Sequence, residues 1–275
     1  MTASVAIADL AYRETPSGPL LARVYRPPGA GPLPCVIDVH GGGWGSNDRL
    51  SNRVIDEHLA RCGIVVAAID FRLSAEARFP ASVADTNVGI RWLKSVARDF
   101  GSRPDLVGGF GSSSGAHQLL LNALRPADPL YAALDEDRFA GIDASLKFAV
   151  ACWPVADPWA RYQMARQFNK EPLLRSHAAY WFSDEDMKLG NPQLVLERNE
   201  YSHLPPILVI QGTKDDNLTP DMAERFATAY RKAGGHADLK MFDGQPHAFI
   251  TKQPDSAASV EALALIAQFI KRNSR

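Results

Sequence analysis

Gly111-Ser112-Ser113-Ser114-Gly115 stands between the apolar run LVGGFG (106–111) and the stretch AHQLLLNAL (116–124), which has helical spacing. A strand that reverses this tightly into a helix strains its central residue, and glycines at both ends remove the Cβ clashes that would block the turn. The pattern predicts that Ser113 sits at the carboxyl edge of a sheet with its Oγ clear of the backbone. A small-residue turn that merely caps a helix has the same composition, so the rest of the chain must decide between the two.

Similar runs recur on both sides: PCVIDVH (34–40), IVVAAIDFR (64–72), LKFAVACW (146–153), PILVIQG (206–212) and a segment at 237–242. Continuous β-branched runs of this length fit parallel strands buried on both faces. Amphipathic segments separate them. In 51–63, Val54, Ile55, His58, Leu59 and Cys62 share one side and Gly63 supplies a stop. Residues 82–100 and 256–272 repeat the pattern, and Thr219-Pro220-Asp221 opens another helix that ends at Gly234-Gly235. Strand and helix alternate, which predicts an α/β fold with a mostly parallel, doubly wound sheet. Segments 4–14 and 20–26, joined by Pro16-Ser17-Gly18, predict an antiparallel N-terminal edge hairpin.

One stretch breaks the alternation. Residues 156–204 carry Trp159, Tyr162, Phe168, Tyr180, Trp181 and Phe182 among several charges, and are read as a lid-like insertion in a single domain spanning 1–275. Its aromatic rings, with Trp44, are expected to line a pocket and to favour short or flat groups over long flexible chains.

The second chemical signal is His40-Gly41-Gly42-Gly43-Trp44, again directly after an apolar run. Consecutive glycines let the backbone pass close to a reacting carbonyl, and preorganised N–H donors aimed at a developing oxyanion lower a barrier by several kcal/mol. Gly42 and Gly43, with the N–H of Ser114, are the candidate oxyanion hole, and Trp44 beside them is a candidate substrate contact. A phosphate-binding loop fits less well, because no GK[ST] follows and a Trp interrupts.

A serine hydroxyl needs a base within hydrogen-bond reach, and the base needs an acid that fixes its tautomer. Of the histidines beyond Ser113, only His247 lies in a loop between a predicted strand and the last helix. His117 lies on the helix that follows Ser113 and is expected to be packed; His236 is expected to be solvated, and His177 and His203 belong to the insertion or its exit. Gly212-Thr213-Lys214-Asp215-Asp216-Asn217 follows another strand. Of its two adjacent carboxylates Asp215 is taken as the acid, and Asp216 as a turn or helix-start residue.

Composition bounds the rest. The 275 residues are 46% hydrophobic and 22% charged, with a net charge of -1 and a pI near 6.7, enough apolar content for one core without metal or disulfide. No basic cluster suggests nucleic acid, and no run approaches a membrane span. The first residues lack the basic segment and apolar core of a secretory signal. Cys35, Cys62 and Cys152 are odd in number and show no metal-binding spacing, so they are expected to be reduced thiols of a cytoplasmic protein.

Taken in order, HGGGW, Asp70-Phe71-Arg72-Leu73-Ser74-Ala75-Glu76 with Phe79-Pro80 and Asp85, GSSSG, Gly212-Thr213-Lys214-Asp215 and Pro246-His247-Ala248-Phe249 resemble the hormone-sensitive-lipase-like and feruloyl-esterase-like branch of the α/β-hydrolases. The resemblance runs from about residue 30 to the end. It implies that Ser113, Asp215 and His247 form a triad, that the substrate is a small-molecule carboxylic ester, and that no cofactor or metal takes part. It implies also that Asp70-Phe71-Arg72 braces the oxyanion turn. Two departures stand out. Ser112 and Ser114 replace the acidic residue and the alanine usual around the nucleophile, and only 39 residues precede His40, too few for an edge hairpin and a helical cap together. The cover is therefore expected from 156–204, as in arylformamidase-like relatives. An amide-cleaving activity and a noncatalytic ligand-binding homologue stay open, as does the oligomeric state, a homodimer included.

Overall fold

In the computed structural model, which describes residues 4–132, 139 and 141–275, the apolar runs form one eight-stranded sheet. The strands are β1 (Ala6–Thr15), β2 (Gly18–Arg26), β3 (Cys35–Val39), β4 (Val65–Ile69), β5 (Val107–Ser112), β6 (Ala149–Cys152), β7 (Ile207–Gly212) and β8 (Ala237–Phe242), in the order β1-β2-β4-β3-β5-β6-β7-β8. From β4 to β8 every neighbouring pair is parallel, whereas β1–β2 and β2–β4 are antiparallel. The edge hairpin and the parallel body are thus as the sequence predicts. Each residue of β3, β4, β5, β6 and β7 is buried, the reason these strands read as unbroken apolar runs.

Helices cover both faces. They are α1 (Arg53–Arg61), α2 (Ala81–Val96), α3 (Ser114–Leu124), α4 (Pro129–Ala132), α5 (Pro158–Gln167), α6 (Glu171–Tyr180), α7 (Asp184–Leu189), α8 (Pro192–Glu197), α9 (Met222–Lys232), α10 (Phe249–Lys252) and α11 (Ala257–Asn273). Helices α1, α10 and α11 pack together on one face, and α2, α3, α8 and α9 follow one another across the other. The periodic segment at 82–100 is one helix only to Val96; residues 97–100 tighten into a 3-10 turn that Gly101 stops at φ 78°.

Strand order decides where a site can form. From β3 the chain moves outward to β4 and then returns to β5 on the other side of β3, so the loops leaving β3 and β5 diverge and open a crevice at their carboxyl ends. Val39 pairs with Gly111 across that boundary, which brings HGGGW and GSSSG side by side.

The insertion holds α5 to α8, each started by a side-chain or proline signal. Asp157 caps α5 and Asn191 caps α8, both ahead of a proline, while Ser183 caps α7. Only its first half covers the crevice. Helix α8 packs against α3 and α9 and belongs to the body of the fold. The apolar content of 156–204 is therefore shared between a cover and a buried layer.

Candidate active site

Ser113 occupies the turn between β5 and α3 with φ 53° and ψ −118°, a left-handed conformation costly for any residue with a Cβ. The turn is possible because Gly115 presses on β3: a Cβ there would collide with the carbonyl oxygens of Val39 and His40. The strain lifts the Ser113 side chain to the crevice, where the residue keeps 9% exposure.

His247, in the loop after β8, accepts the Ser113 hydroxyl at Nε2 across 3.0 Å. Its Nδ1 donates to Asp215 Oδ2 at 2.7 Å, from the loop after β7. Asp215 is held by two further donors, Gln211 Nε2 at 2.8 Å and the Asn217 backbone N–H at 2.8 Å. Burial alone would raise the Asp215 carboxyl, but the hydrogen bonds from His247, Gln211 and Asn217 outweigh it and hold the group below the usual carboxylate range. Asp216 points away: its side chain is 83% exposed, with Lys170 at 3.7 Å. A hydroxyl, an imidazole and an ionised carboxylate in line can pass the serine proton to the imidazole and stabilise the cation that results.

On the β3 side, Gly42 (φ 129°) and Gly43 (φ 59°) turn the backbone around the Ser113 side chain. Among the described residues, the N–H groups of Gly42, Gly43 and Ser114 take no protein acceptor. Two flanking contacts fix the turn. The Gly41 N–H donates to Ser112 Oγ at 3.0 Å, and the Trp44 N–H donates to Ser114 Oγ at 3.2 Å. Ser112 and Ser114, which depart from the resembled pattern, thus stitch the glycine turn to the Ser113 turn. Ser112 Oγ donates onward to Asn52 Oδ1 at 3.2 Å, and Asn52 Nδ2 donates to Asp38 at 2.9 Å. Behind them lie the neighbouring carboxyls of Asp38 and Asp56; both are fully buried, and burial pushes Asp38 up to about 7 and Asp56 well above its ordinary value.

The brace lies where the sequence suggests. Phe71 stacks on the His40 ring at 4.3 Å, Asp70 receives the Arg49 N–H and guanidinium at 2.9 and 2.8 Å, and the Ser74 N–H donates to Trp44 O at 2.9 Å. Arg72 turns away to pair with Asp85.

Trp44 is not where a substrate contact would be. Its indole is 0% exposed and does not line the crevice. It lies flat on Tyr180, meets Trp181 edge-on at 5.7 Å, and donates from Nε1 to His117 Nδ1 at 3.2 Å. The expected aromatic lining is corrected likewise. Tyr180 and Trp181 are buried in this cluster, Phe168 and Phe182 are exposed at 62% and 68%, and no ring of the insertion faces the cavity. An aromatic residue beside a glycine turn gains more from burial than from a wet cleft, and φ 63° at Trp44 directs its side chain inward.

The cavity in front of Ser113 measures about 590 Å³. Helix α6 contributes Pro172, Leu173, Ser176 and Ala179, and Trp153 also lines the cavity. Ser176 Oγ donates to Gly43 O at 2.7 Å, tying this cover to the glycine turn. Arg161 of α5 also lines the cavity although only 3% exposed. Sequence reasoning missed Arg161, Ser176, Trp153, Gln211 and Asn52. A charged residue on a helix ordinarily faces water, and nothing in the local pattern marks the others.

Three further histidines stand apart from the Ser113–His247–Asp215 line. His117 bridges Trp44 and Gly190 O (2.7 Å) and burial pushes it down to about 4; His203 bonds Leu146 O at 2.9 Å; His236 is 65% exposed beside Asp238. Cys35, Cys62 and Cys152 are free thiols. Among the described residues no helix is long and apolar enough to cross a membrane.

Comparison with known proteins matches residues 23–230 to the BD-FAE family. The chain is 30% identical over 249 residues to the carboxylic ester hydrolase LipN of Mycobacterium tuberculosis, covering 86% of this chain and 62% of that protein. It spans between 46% and 62% of the length of the first curated relatives it matches. Among solved structures, the native esterase Est2 of Thermogutta terrifontis superposes with TM-score 0.78 at 25% identity, covering 96% of this chain and 91% of that one. A hyperthermophilic esterase from the archaeon Pyrobaculum calidifontis shares the fold with TM-score 0.80 at 24% identity, covering 98% and 87%.

Proposed function

Because this chain belongs to the BD-FAE family and has the α/β-hydrolase fold, we propose that it is a serine hydrolase that cleaves small carboxylic esters through Ser113, His247 and Asp215. The observation that carries the reading is the continuous line of hydrogen bonds from Ser113 Oγ through His247 to Asp215, opening on a cavity beside three unengaged backbone N–H groups.

In this reading His247 takes the Ser113 proton as Oγ attacks the ester carbonyl. The N–H groups of Gly42, Gly43 and Ser114 receive the oxyanion, each such donor being worth roughly 10²–10³ in rate. His247 then protonates the departing alkoxide, leaving an acyl-serine, and the same imidazole draws a proton from water to release the acid. Asp215 stays ionised throughout and steadies the imidazolium. These steps need no cofactor.

Short acyl groups fit the site best. The cavity is modest, its lining mixes Pro172, Leu173 and Ala179 with serine and asparagine side chains, and Ser176 holds α6 against the glycine turn. Helices α5 and α6 act as the lid of a single domain. Three free thiols suit a reducing compartment such as the cytoplasm.

The test is turnover of nitrophenyl acetate and butyrate by the purified protein and by Ser113→Ala. Hydrolysis that falls by about 10³-fold or more in the variant supports the reading. Hydrolysis that survives the substitution contradicts the assignment, and a folded protein that turns over formylkynurenine but no ester would move the chemistry to amide cleavage.

A further inference from the structure

Other buried or half-buried cations of the fold face a carboxylate: Arg49 meets Asp9 and Asp70, Arg72 meets Asp85, and Lys94 meets Asp143. Arg161 has no such ion pair among the described residues. Its three hydrogen bonds go to neutral acceptors, Nε donating to Asn217 O at 3.0 Å, Nη2 to Asn217 Oδ1 at 3.2 Å, and Nη1 to His177 Nε2 at 3.0 Å, and its guanidinium lies over the neutral Trp44 ring at 5.7 Å from the centroid. His177 adds no charge, since burial and the guanidinium itself keep its imidazole neutral. Asp215 supplies a favourable field, but its oxygens are already taken by His247, Gln211 and Asn217. A guanidinium has five N–H donors, so one on each terminal nitrogen is left without a protein acceptor.

Taking a charge out of water is costly unless a partner of opposite sign meets it. The cost shows at Arg161, where burial pushes the guanidinium down to about 10. The cavity that Arg161 lines contains no aspartate or glutamate among the described residues, while two exposed cations, Arg175 and Lys252, stand on the same lining. Among the described residues, all formal charge on the cavity lining is therefore positive, the Asp215 carboxylate lying behind His247. Rim cations in water contribute little beyond steering, whereas a guanidinium in a desolvated wall offers a planar fork that matches a carboxylate.

We propose that the ester taken by this site carries a carboxylate of its own, and that Arg161 binds that carboxylate from the wall of the cavity. The inference rests on the ester-hydrolase reading for the reaction, but on Arg161 alone for the charge. Arg175 and Lys252 draw the anion inward, and the spare N–H groups of Arg161 complete its pairing.

The test compares charged and neutral esters of matched size. On the acyl side, nitrophenyl hemiesters of succinic, glutaric and adipic acid are set against nitrophenyl butyrate and valerate; on the alcohol side, 4-carboxyphenyl butyrate is set against phenyl butyrate. At low salt the protein is expected to favour one charged series by at least tenfold in kcat/KM, through KM. Arg161→Gln, checked for an intact thermal midpoint, should reduce that ratio at least tenfold beyond whatever it does to the neutral ester, and Arg161→Lys should restore part of it. A protein that favours the neutral member of both pairs overturns the proposal, whether or not the variants fold. Equal losses on charged and neutral esters in Arg161→Gln would overturn it too, and leave Arg161 as a brace for the Asp215 loop. If no ester is hydrolysed, the enzymatic reading fails separately. Calorimetric titration with glutarate and with neutral glutaramide then decides the Arg161 assignment: saturable binding of glutarate alone supports it, and no binding overturns it.

Discussion

Trp44 lies flat on Tyr180, ring centroids 4.8 Å apart and planes 3° from parallel, so the residue that follows the three glycines is stacked face-to-face on the end of helix α6. The Tyr180 hydroxyl in turn shares a 2.7 Å hydrogen bond with Ser82 Oγ on α2. The stack joins three parts of the molecule that are distant in sequence: glycine turn, cover and sheet-packing helix.

Trp44→Ala should therefore destabilise the protein by about 3–5 kcal/mol, the range for emptying a large buried aromatic site. Tyr180→Phe, which keeps the stack and loses one buried hydrogen bond, should cost about 1 kcal/mol. Denaturant midpoints measure both. A stability-neutral Trp44→Ala with an altered KM would return Trp44 to the substrate-facing role that its position beside the glycines suggests.

That contrast shows what a sequence reader can and cannot see here. Strands buried on both faces are legible because they have no polar alternation to hide, and the turns after β3 and β5 are legible because only glycine permits such close backbone approach. The partners of Ser113 follow from the same logic, since loops at the carboxyl ends of parallel strands must share one edge. Trp44 is ambiguous in sequence because a ring beside a turn can face either way, and its backbone angle settles the direction only in three dimensions. Arg161 is invisible for a related reason: helical charges ordinarily face solvent, and its burial depends on Asn217 and His177, which arrive from other parts of the chain. Ser112 and Ser114 read as lost features of a motif, yet each hydroxyl accepts a backbone N–H of the opposite turn.

The two adjacent aspartates separate cleanly. Asp215→Asn should lower kcat by about 10⁴-fold with the fold intact, because His247 loses the acceptor that sets its tautomer. Asp216→Asn should change the rate by less than about twofold, as its exposed carboxylate makes only a surface contact with Lys170. Turnover numbers of both variants at neutral pH check this; a large loss confined to Asp216→Asn would reverse the assignment.

The Asp38–Asp56 pair predicts a pH dependence of stability. Both carboxyls are raised in the folded state by burial, so the folded protein retains protons that the unfolded chain releases above about pH 4. Their stabilising contribution is thus complete below the unfolded value and is lost as pH rises toward and through 7. Asp56→Asn keeps the side-chain volume and removes one titrating group. Its thermal midpoint relative to the parent should improve between pH 5 and pH 8 by roughly 3 °C or more, the shift that ~1 kcal/mol produces in a domain of this size. Parallel midpoint profiles for the two proteins would show that the pair does not titrate in this range.

The central claim is that Ser113 is an activated nucleophile, and covalent labelling tests it most directly. An alkyl fluorophosphonate reacts with a serine only when a neighbouring base draws off its proton and an oxyanion site receives the phosphoryl oxygen. Incubated at neutral pH and mapped by peptide mass spectrometry, the protein should carry one adduct, on Ser113, absent from Ser113→Ala and slowed by orders of magnitude in His247→Ala. An adduct on Ser112 or Ser114 instead, or none on a protein shown to be folded, would contradict the account.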